Sequence, residues 1–206
     1  MSRQPRGKNP DTFIENVRKA LAQHDTQTLI LRDVPLSPAA VLVPLFEKEE
    51  DFHILLTKRT ETVEYHKGQI CFPGGGRHET DRDLKDTALR ETFEEVGVKP
   101  EDVRVLGELD SIGTVSSNFL ITPYVGVIPY PYEFQVSVDE IESLFEVPIS
   151  ELRDEKNYRE EVYDLDGSIM TGFVFDYQGE VIWGATARIL RQLIEIAFPA
   201  GGNPGK

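Results

Sequence analysis

The chain is poor in cysteine, histidine, positive charge and long apolar runs, and each shortage excludes something. A single cysteine, Cys71, rules out an internal disulfide and suits a reducing compartment, so a cytoplasmic location is expected. No apolar run approaches the ~20 residues of a membrane span, and no secretory apolar segment follows Met1, so no membrane partner is expected. With 22 Lys and Arg against 36 Asp and Glu, the formal net charge of −14 argues against nucleic acid as a partner. Phosphates can still be bound where divalent cations mediate the contact. His53, His66 and His78 are scattered and Cys71 stands alone, so no grouping suggests zinc.

What is present is ordinary globular material, 39% hydrophobic and 28% charged over 206 residues, which predicts one domain over 1–206 with flexible tails at 1–10 and 199–206. An amphipathic helix is predicted over Asp11 to Gln23 from Phe13, Ile14, Val17, Ala20 and Leu21. Ala39 to Glu47 and His53 to Arg59 read as a hairpin about the acidic turn KEEDF, and GQICF as a short strand stopped by Pro73. A second helix runs from near Asp83 to Val96, with Thr80 or Asp81 as cap and Gly97 as the left-handed stop. VRVLGELDSIGTV and FLITPYVGVI are strand-like, with Pro123 expected at an edge or bulge. SVDEIESLFEVPISEL is expected to contain a helix with Ile141, Leu144 and Phe145 inward. A hairpin about Gln178–Gly179 and a last helix, ATARILRQLIEIAF, complete an α+β pattern with a mixed sheet.

The chemistry concentrates in CFPGGGRHETDRDLKDTALRETFEEVGV, Cys71 to Val98. Glu91, Glu94 and Glu95 fall within roughly 100° of helix surface, where like charges cost roughly 0.2–0.5 kcal/mol per pair. Leu89, Thr92, Phe93 and Val96 are expected on the opposite, buried side. Clustered carboxylates are hard ligands suited to Mg²⁺ or Mn²⁺, which would offset the repulsion. The preceding FPGGG permits close backbone approach and positive φ, and no Gly-Lys-Ser/Thr follows, so it is not a Walker loop.

Arg90 to Val98, RETFEEVGV, resembles the second half of the Nudix hydrolase signature, G-x5-E-x7-R-E-U-x-E-E-x-G-U, with Thr92 at an aliphatic position. In the first half, five residues after Gly75 lead to Asp81, and eight rather than seven then precede Arg90. The resemblance implies an α/β/α sandwich with a catalytic loop-helix-loop. It also implies metal-dependent hydrolysis of a nucleoside diphosphate linked to a second moiety. Glu91, Glu94 and Glu95 would hold Mg²⁺ or Mn²⁺, and Arg90 would orient a neighbouring carboxylate. Many members use an acid outside the signature, for which Glu140 is the candidate here, ahead of Glu142.

Leu55 to Gly75, LLTKRTETVEYHKGQICFPGG, further resembles the motif of the coenzyme A pyrophosphatase branch. Leu55, Leu56, Thr57, Arg59, Gly68, Phe72, Pro73, Gly74 and Gly75 match, while Glu64 reverses the charge of an arginine position. Lys58, Arg59 and Lys67 are candidates to supply that charge, with Phe72, Gly74 and Gly75 lining the substrate. FLITPYVG, DEIESLFEVPISEL and IWGATARIL also look like this branch. The reading is hydrolysis of coenzyme A or an acyl derivative to adenosine 3′,5′-bisphosphate and (acyl-)phosphopantetheine. Two alternatives stay open: a Nudix enzyme for ADP-ribose, NADH or a nucleoside triphosphate, and a catalytically silent nucleotide-binding module. The resemblance leaves a homodimer open.

Overall fold

The computed structural model describes residues 10–30, 34–61, 67–114, 117–165 and 167–198. The expected tails, Glu64 and His66 lie outside these residues, except that Pro10 already opens the first helix. In chain order the helices are α1 (Pro10–Gln23), α2 (Leu84–Val96), α3 (Ile149–Arg153) and α4 (Gly184–Ala197). The strands are β1 (Thr28–Leu29), β2 (Ser37–Lys48), β3 (Asp51–Arg59), β4 (Ile70–Cys71), β5 (Gly74–Gly76), β6 (Arg104–Glu108) and β7 (Ser111–Gly113). They continue with β8 (Phe119–Val127), β9 (Ile141–Pro148), β10 (Tyr158–Leu165), β11 (Ser168–Tyr177) and β12 (Glu180–Ile182).

Among the described residues, β1 to β9 form one mixed sheet along β1-β7-β8-β2-β3-β4, with β5 on β2, β6 on β8 and β9 on β3. The central strands β2 and β3 are nearly continuous apolar runs, buried on both faces, as strands between helical layers must be. They are joined through Glu49 and Glu50, both at positive φ (53° and 64°), the geometry of a tight two-residue hairpin. One face packs on α2 around Phe46, Leu55, Val96, Val98 and Ile128. The other carries the larger core, where Val17 and Leu21 of α1 and Leu190 and Leu193 of α4 join Val43, Ile54 and Leu56. The result is the expected α+β sandwich with helices on both faces. The antiparallel β10-β11-β12 forms a second, smaller sheet, against which α4 packs.

Three local expectations are corrected. Ile141 to Pro148 is strand β9, antiparallel to β3, and only Ile149–Arg153 after it is helical. Pairing with β3 decides this, and it sends Phe145 and Val147 to the larger core on one face while Leu144 packs with the α2 cluster on the other. Pro123 lies inside the sheet, between β2 and the β6–β7 pair. Its carbonyl accepts from Leu109 N at 2.9 Å where β6 hands over to β7, a break in the ladder that spares the missing N–H. The cap of α2 is Asp83, whose side chain accepts from Asp86 N at 2.8 Å, rather than Thr80 or Asp81. Gly97 ends α2 as expected, at φ 74° with its N–H on Phe93 O.

Candidate active site

The glycine triplet is a strand, not a bare turn. β5 pairs antiparallel with β2, Gly74 opposite Val41 and Gly76 opposite Ala39. Gly74 sits at φ 153°, and a Cβ there would come within 2.4 Å of Ala40 O, so no larger residue fits. A Cβ on Gly75 would meet the Glu91 carboxylate at 2.5 Å. The rim of β5 and the acidic face of α2 are thus pressed together.

The face of α2 that enters the protein differs from expectation. Its buried residues are Thr87, Ala88, Thr92, Glu95 and Val96, while Phe93 is 48% exposed. Tertiary packing overrode apolar periodicity because Glu95 has partners inside. Its carboxylate accepts from Gly74 N at 3.1 Å and from Arg59 Nη1 at 2.9 Å. Burial pushes the Glu95 carboxyl up to about 7, against the opposing pull of Arg59. Glu91 is also raised, first by burial and further by Glu94 and Glu140. Glu94 is half-exposed and meets Arg90 Nη1 at 3.0 Å.

Two arginines hold these acids apart. Arg90 binds Asp81 through both oxygens, Nε to Oδ1 at 2.9 Å and Nη2 to Oδ2 at 3.0 Å, and also reaches Gly76 O and Glu91. Asp81, 7% exposed, additionally accepts from His78 N and the Thr87 hydroxyl. The Arg90 guanidinium and these donors hold the Asp81 carboxyl well below the usual carboxylate range. The extra residue before α2 therefore does not send an acid toward the other carboxylates; it makes Asp81 the clamp of Arg90. Arg59, at the end of β3, spans from Glu95 to Glu140, whose Oε2 lies 3.6 Å from Nη2. Glu140 itself stands in the turn before β9, on no helix, and its main chain is tied to Thr60 N at 2.8 Å.

Arg59, Glu91, Glu95, Glu140 and Gly74 to Gly76 line one end of a cavity of about 790 Å³. Phe72, buried, forms part of its wall. Lys58 and Lys67 do not line it. Lys58 points to the other face of β3, where it pairs with Glu180 at 2.7 Å and Glu142 at 3.7 Å, and Lys67 is exposed on a turn. Cys71 lines the cavity, but burial pushes its thiol up to about 11, which makes it a poor nucleophile. The far end is built by residues that sequence reasoning gave no role: Tyr163, Phe173 and Val174 of the small sheet, and Trp183, Thr186 and Arg188 at the start of α4. For Trp183, Thr186 and Arg188 the only signal was the motif IWGATARIL, which names no chemistry, and Phe173 and Val174 were legible only as part of a hairpin.

Among the described residues no three His, Cys, Asp or Glu side chains converge on a common point, since the arginines take the carboxylates instead. The donor chemistry nonetheless fits a hard divalent ion. Glu91 and Glu95 are carboxylates with raised pKa values, meaning their negative charge is under-compensated by the protein alone.

A family model of the NUDIX domain matches residues 36–165. A protein named uncharacterized Nudix hydrolase NudL from Cronobacter sakazakii is 40% identical over 166 residues, 81% of this chain and 84% of its own. One of the same name from Klebsiella pneumoniae is 35% identical over 199 residues, 97% and 98% of the two chains. Among solved structures, a NUDIX hydrolase from Alicyclobacillus acidocaldarius aligns with a TM-score of 0.50 at 17% identity, covering 83% of this chain and all of that one, a likeness of fold.

Proposed function

The chain belongs to the Nudix hydrolase family, with an activity of the pyrophosphatase type, and we propose that its substrate is coenzyme A or an acyl-coenzyme A. The products are adenosine 3′,5′-bisphosphate and (acyl-)phosphopantetheine. The observation that carries this reading is where the coenzyme A-like stretch ends up. LLTKR is the end of β3, GQICF includes β4, and PGG opens β5, so this one motif supplies Arg59, Phe72, Gly74 and Gly75 to the cavity that Glu91 and Glu95 enter. A volume of about 790 Å³ suits a ligand larger than a simple nucleotide.

Glu91, Glu94 and Glu95 are the residues to hold Mg²⁺ or Mn²⁺, which when bound supplies neutralisation of the diphosphate charge and acidification of water. The chain's own residues do the positioning. Arg90, fixed by Asp81, orients Glu91 and Glu94, and the Gly74 N–H and Arg59 orient Glu95. Glu140, half-exposed at the cavity wall and 3.6 Å from Arg59, is the candidate to accept a proton from the attacking water. The glycines of β5 let the substrate backbone approach without a side chain in the way.

A substrate panel read by mass spectrometry tests the assignment. Coenzyme A is expected to give a kcat/KM at least tenfold above dephospho-coenzyme A and ADP-ribose, a ratio that needs about 1.4 kcal/mol of differential binding. Glu64→Arg is expected to leave that value unchanged or raise it. An enzyme that prefers ADP-ribose would overturn the coenzyme A reading and leave the family intact.

A further inference from the structure

The cavity has two arginines among its described lining residues, Arg59 and Arg188, and they are not equivalent. Arg59 is neutralised by Glu95 and Glu140, although its buried Nε has no hydrogen-bond partner among the described residues. Arg188 has no carboxylate partner among the described residues. Its Nη2 donates to Thr171 O at 2.8 Å and its guanidinium lies 5.2 Å from the centre of the Phe173 ring, which leaves further N–H donors unused. In a chain of net charge −14, an unneutralised guanidinium at a cavity wall is a feature to explain.

Its surroundings are arranged for an anion. Arg188 stands in the second turn of α4, a helix of 14 residues whose first turn contains no acidic residue and whose N-cap, Trp183, makes no side-chain cap bond. The N-terminal amides of such a helix carry partial positive charge. Thr186, in that first turn, lines the cavity and is 8% exposed, yet its hydroxyl makes no hydrogen bond among the described residues. The hydroxyl is therefore available to a ligand in the cavity, as donor or acceptor. The carboxylate at this end, Glu161, is held by Arg159 at 2.9 Å. Beside these groups Trp183 is 54% exposed and also lines the cavity, an aromatic face open to a flat ring.

We propose that the start of α4 is a second anion site within the cavity, taking the phosphate monoester of a purine nucleotide on Thr186, Arg188 and the helix amides, with the base against Trp183. It rests on the coenzyme A reading for its natural occupant, the 3′-phosphoadenosine end, and it replaces Lys58 and Lys67 as the source of charge for that phosphate.

Trp183 is the chain's one tryptophan, so its fluorescence reports on this site alone. The full-length protein is titrated in chelator with adenosine 3′,5′-bisphosphate and, separately, with adenosine 5′-monophosphate. The bisphosphate is expected to shift Trp183 emission with a Kd at least tenfold lower. Arg188→Gln and the near-isosteric Thr186→Val are each expected to shrink that gap at least fivefold, with melting curves checking that both fold. In turnover, Arg188→Gln is expected to lower the coenzyme A to dephospho-coenzyme A ratio of kcat/KM by a similar factor, with Arg188→Lys restoring part of it. Equal affinity for the two nucleotides in the wild type would overturn the site, as would a folded Arg188→Gln protein that keeps the full gap. A tenfold gap in an enzyme that does not hydrolyse coenzyme A would support the site and remove the coenzyme A reading.

Discussion

The two ends of the cavity solve opposite electrostatic problems. At the α2 end four lining or flanking acids, Glu91, Glu94, Glu95 and Glu140, meet two arginines, and each carboxylate has a guanidinium within 3.6 Å. At the α4 end the Arg188 guanidinium and the Thr186 hydroxyl face the same space, and the acid there, Glu161, is paired with Arg159. One end is short of positive charge and the other of negative. A diphosphate ligand brought with divalent ions, carrying a further phosphate at its far side, is complementary to both. The contrast also shows why net charge is a poor guide to ligand charge: −14 describes the whole chain, whereas the wall at α4 holds an arginine with no carboxylate partner among the described residues.

The contrast breaks most sharply if the buried acid is neutralised. Glu95→Gln, and equally Glu94→Gln, is expected to lower turnover at saturating Mg²⁺ by a factor on the order of 10³ or more while the protein stays folded. Because burial raises the folded-state pKa of Glu95 to about 7, the folded wild type binds more protons than the unfolded chain between its ordinary value and 7. That burial costs stability above pH 7 and ceases to do so as the pH falls. Without metal, Glu95→Gln is therefore expected to melt at or above the wild type at pH 8, with the difference vanishing near pH 5. Near-normal turnover in either variant would reduce the acidic face to solvated charge.

Glu140→Gln comes next. A general base is worth roughly 10²–10⁴ in rate, and the loss is expected in kcat with little change in metal affinity. A loss under threefold would move the role to a glutamate of α2, with Glu91 the first to test.

The smallest effect concerns the frame rather than the chemistry. Asp81→Asn removes one charge from the Arg90 clamp and is expected to lower the melting temperature by roughly 5–10 °C at neutral pH. Since Arg90 holds the Asp81 pKa down, this stability is present above the ordinary carboxylate pKa and lost as pH falls through the lowered one. The gap between wild type and variant should accordingly close below about pH 4. A variant with unchanged melting would mean that Glu91 and Glu94 suffice to anchor Arg90.

Much of the frame was legible in the chain. The β2–β3 hairpin, α1, α2 with its Gly97 stop, the β11–β12 hairpin and α4 all follow from period and punctuation, because those signals act between residues a few positions apart. The strand at Ile141 to Pro148 was not legible. Its apolar residues satisfy a helical spacing as well as an alternating one, and only the free edge of β3 selects between them. Likewise β10 carries charged and exposed residues along most of its length and is defined by its pairing with β11.

By itself the sequence determined that three glutamates share one side of a helix, that a glycine rim precedes it, and that an arginine sits among them. Those relations are set by 3.6 residues per turn and by the φ that glycine permits. Only the tertiary structure decided that Glu95 is the buried one, while Phe93 faces out. It likewise gave Asp81 to Arg90, brought Arg59 to Glu95 across 36 positions, and made the start of α4 and the acidic face of α2 walls of one cavity. These are pairings across strand order, fixed by which groups can be buried together with partners, and no local period in the chain encodes them.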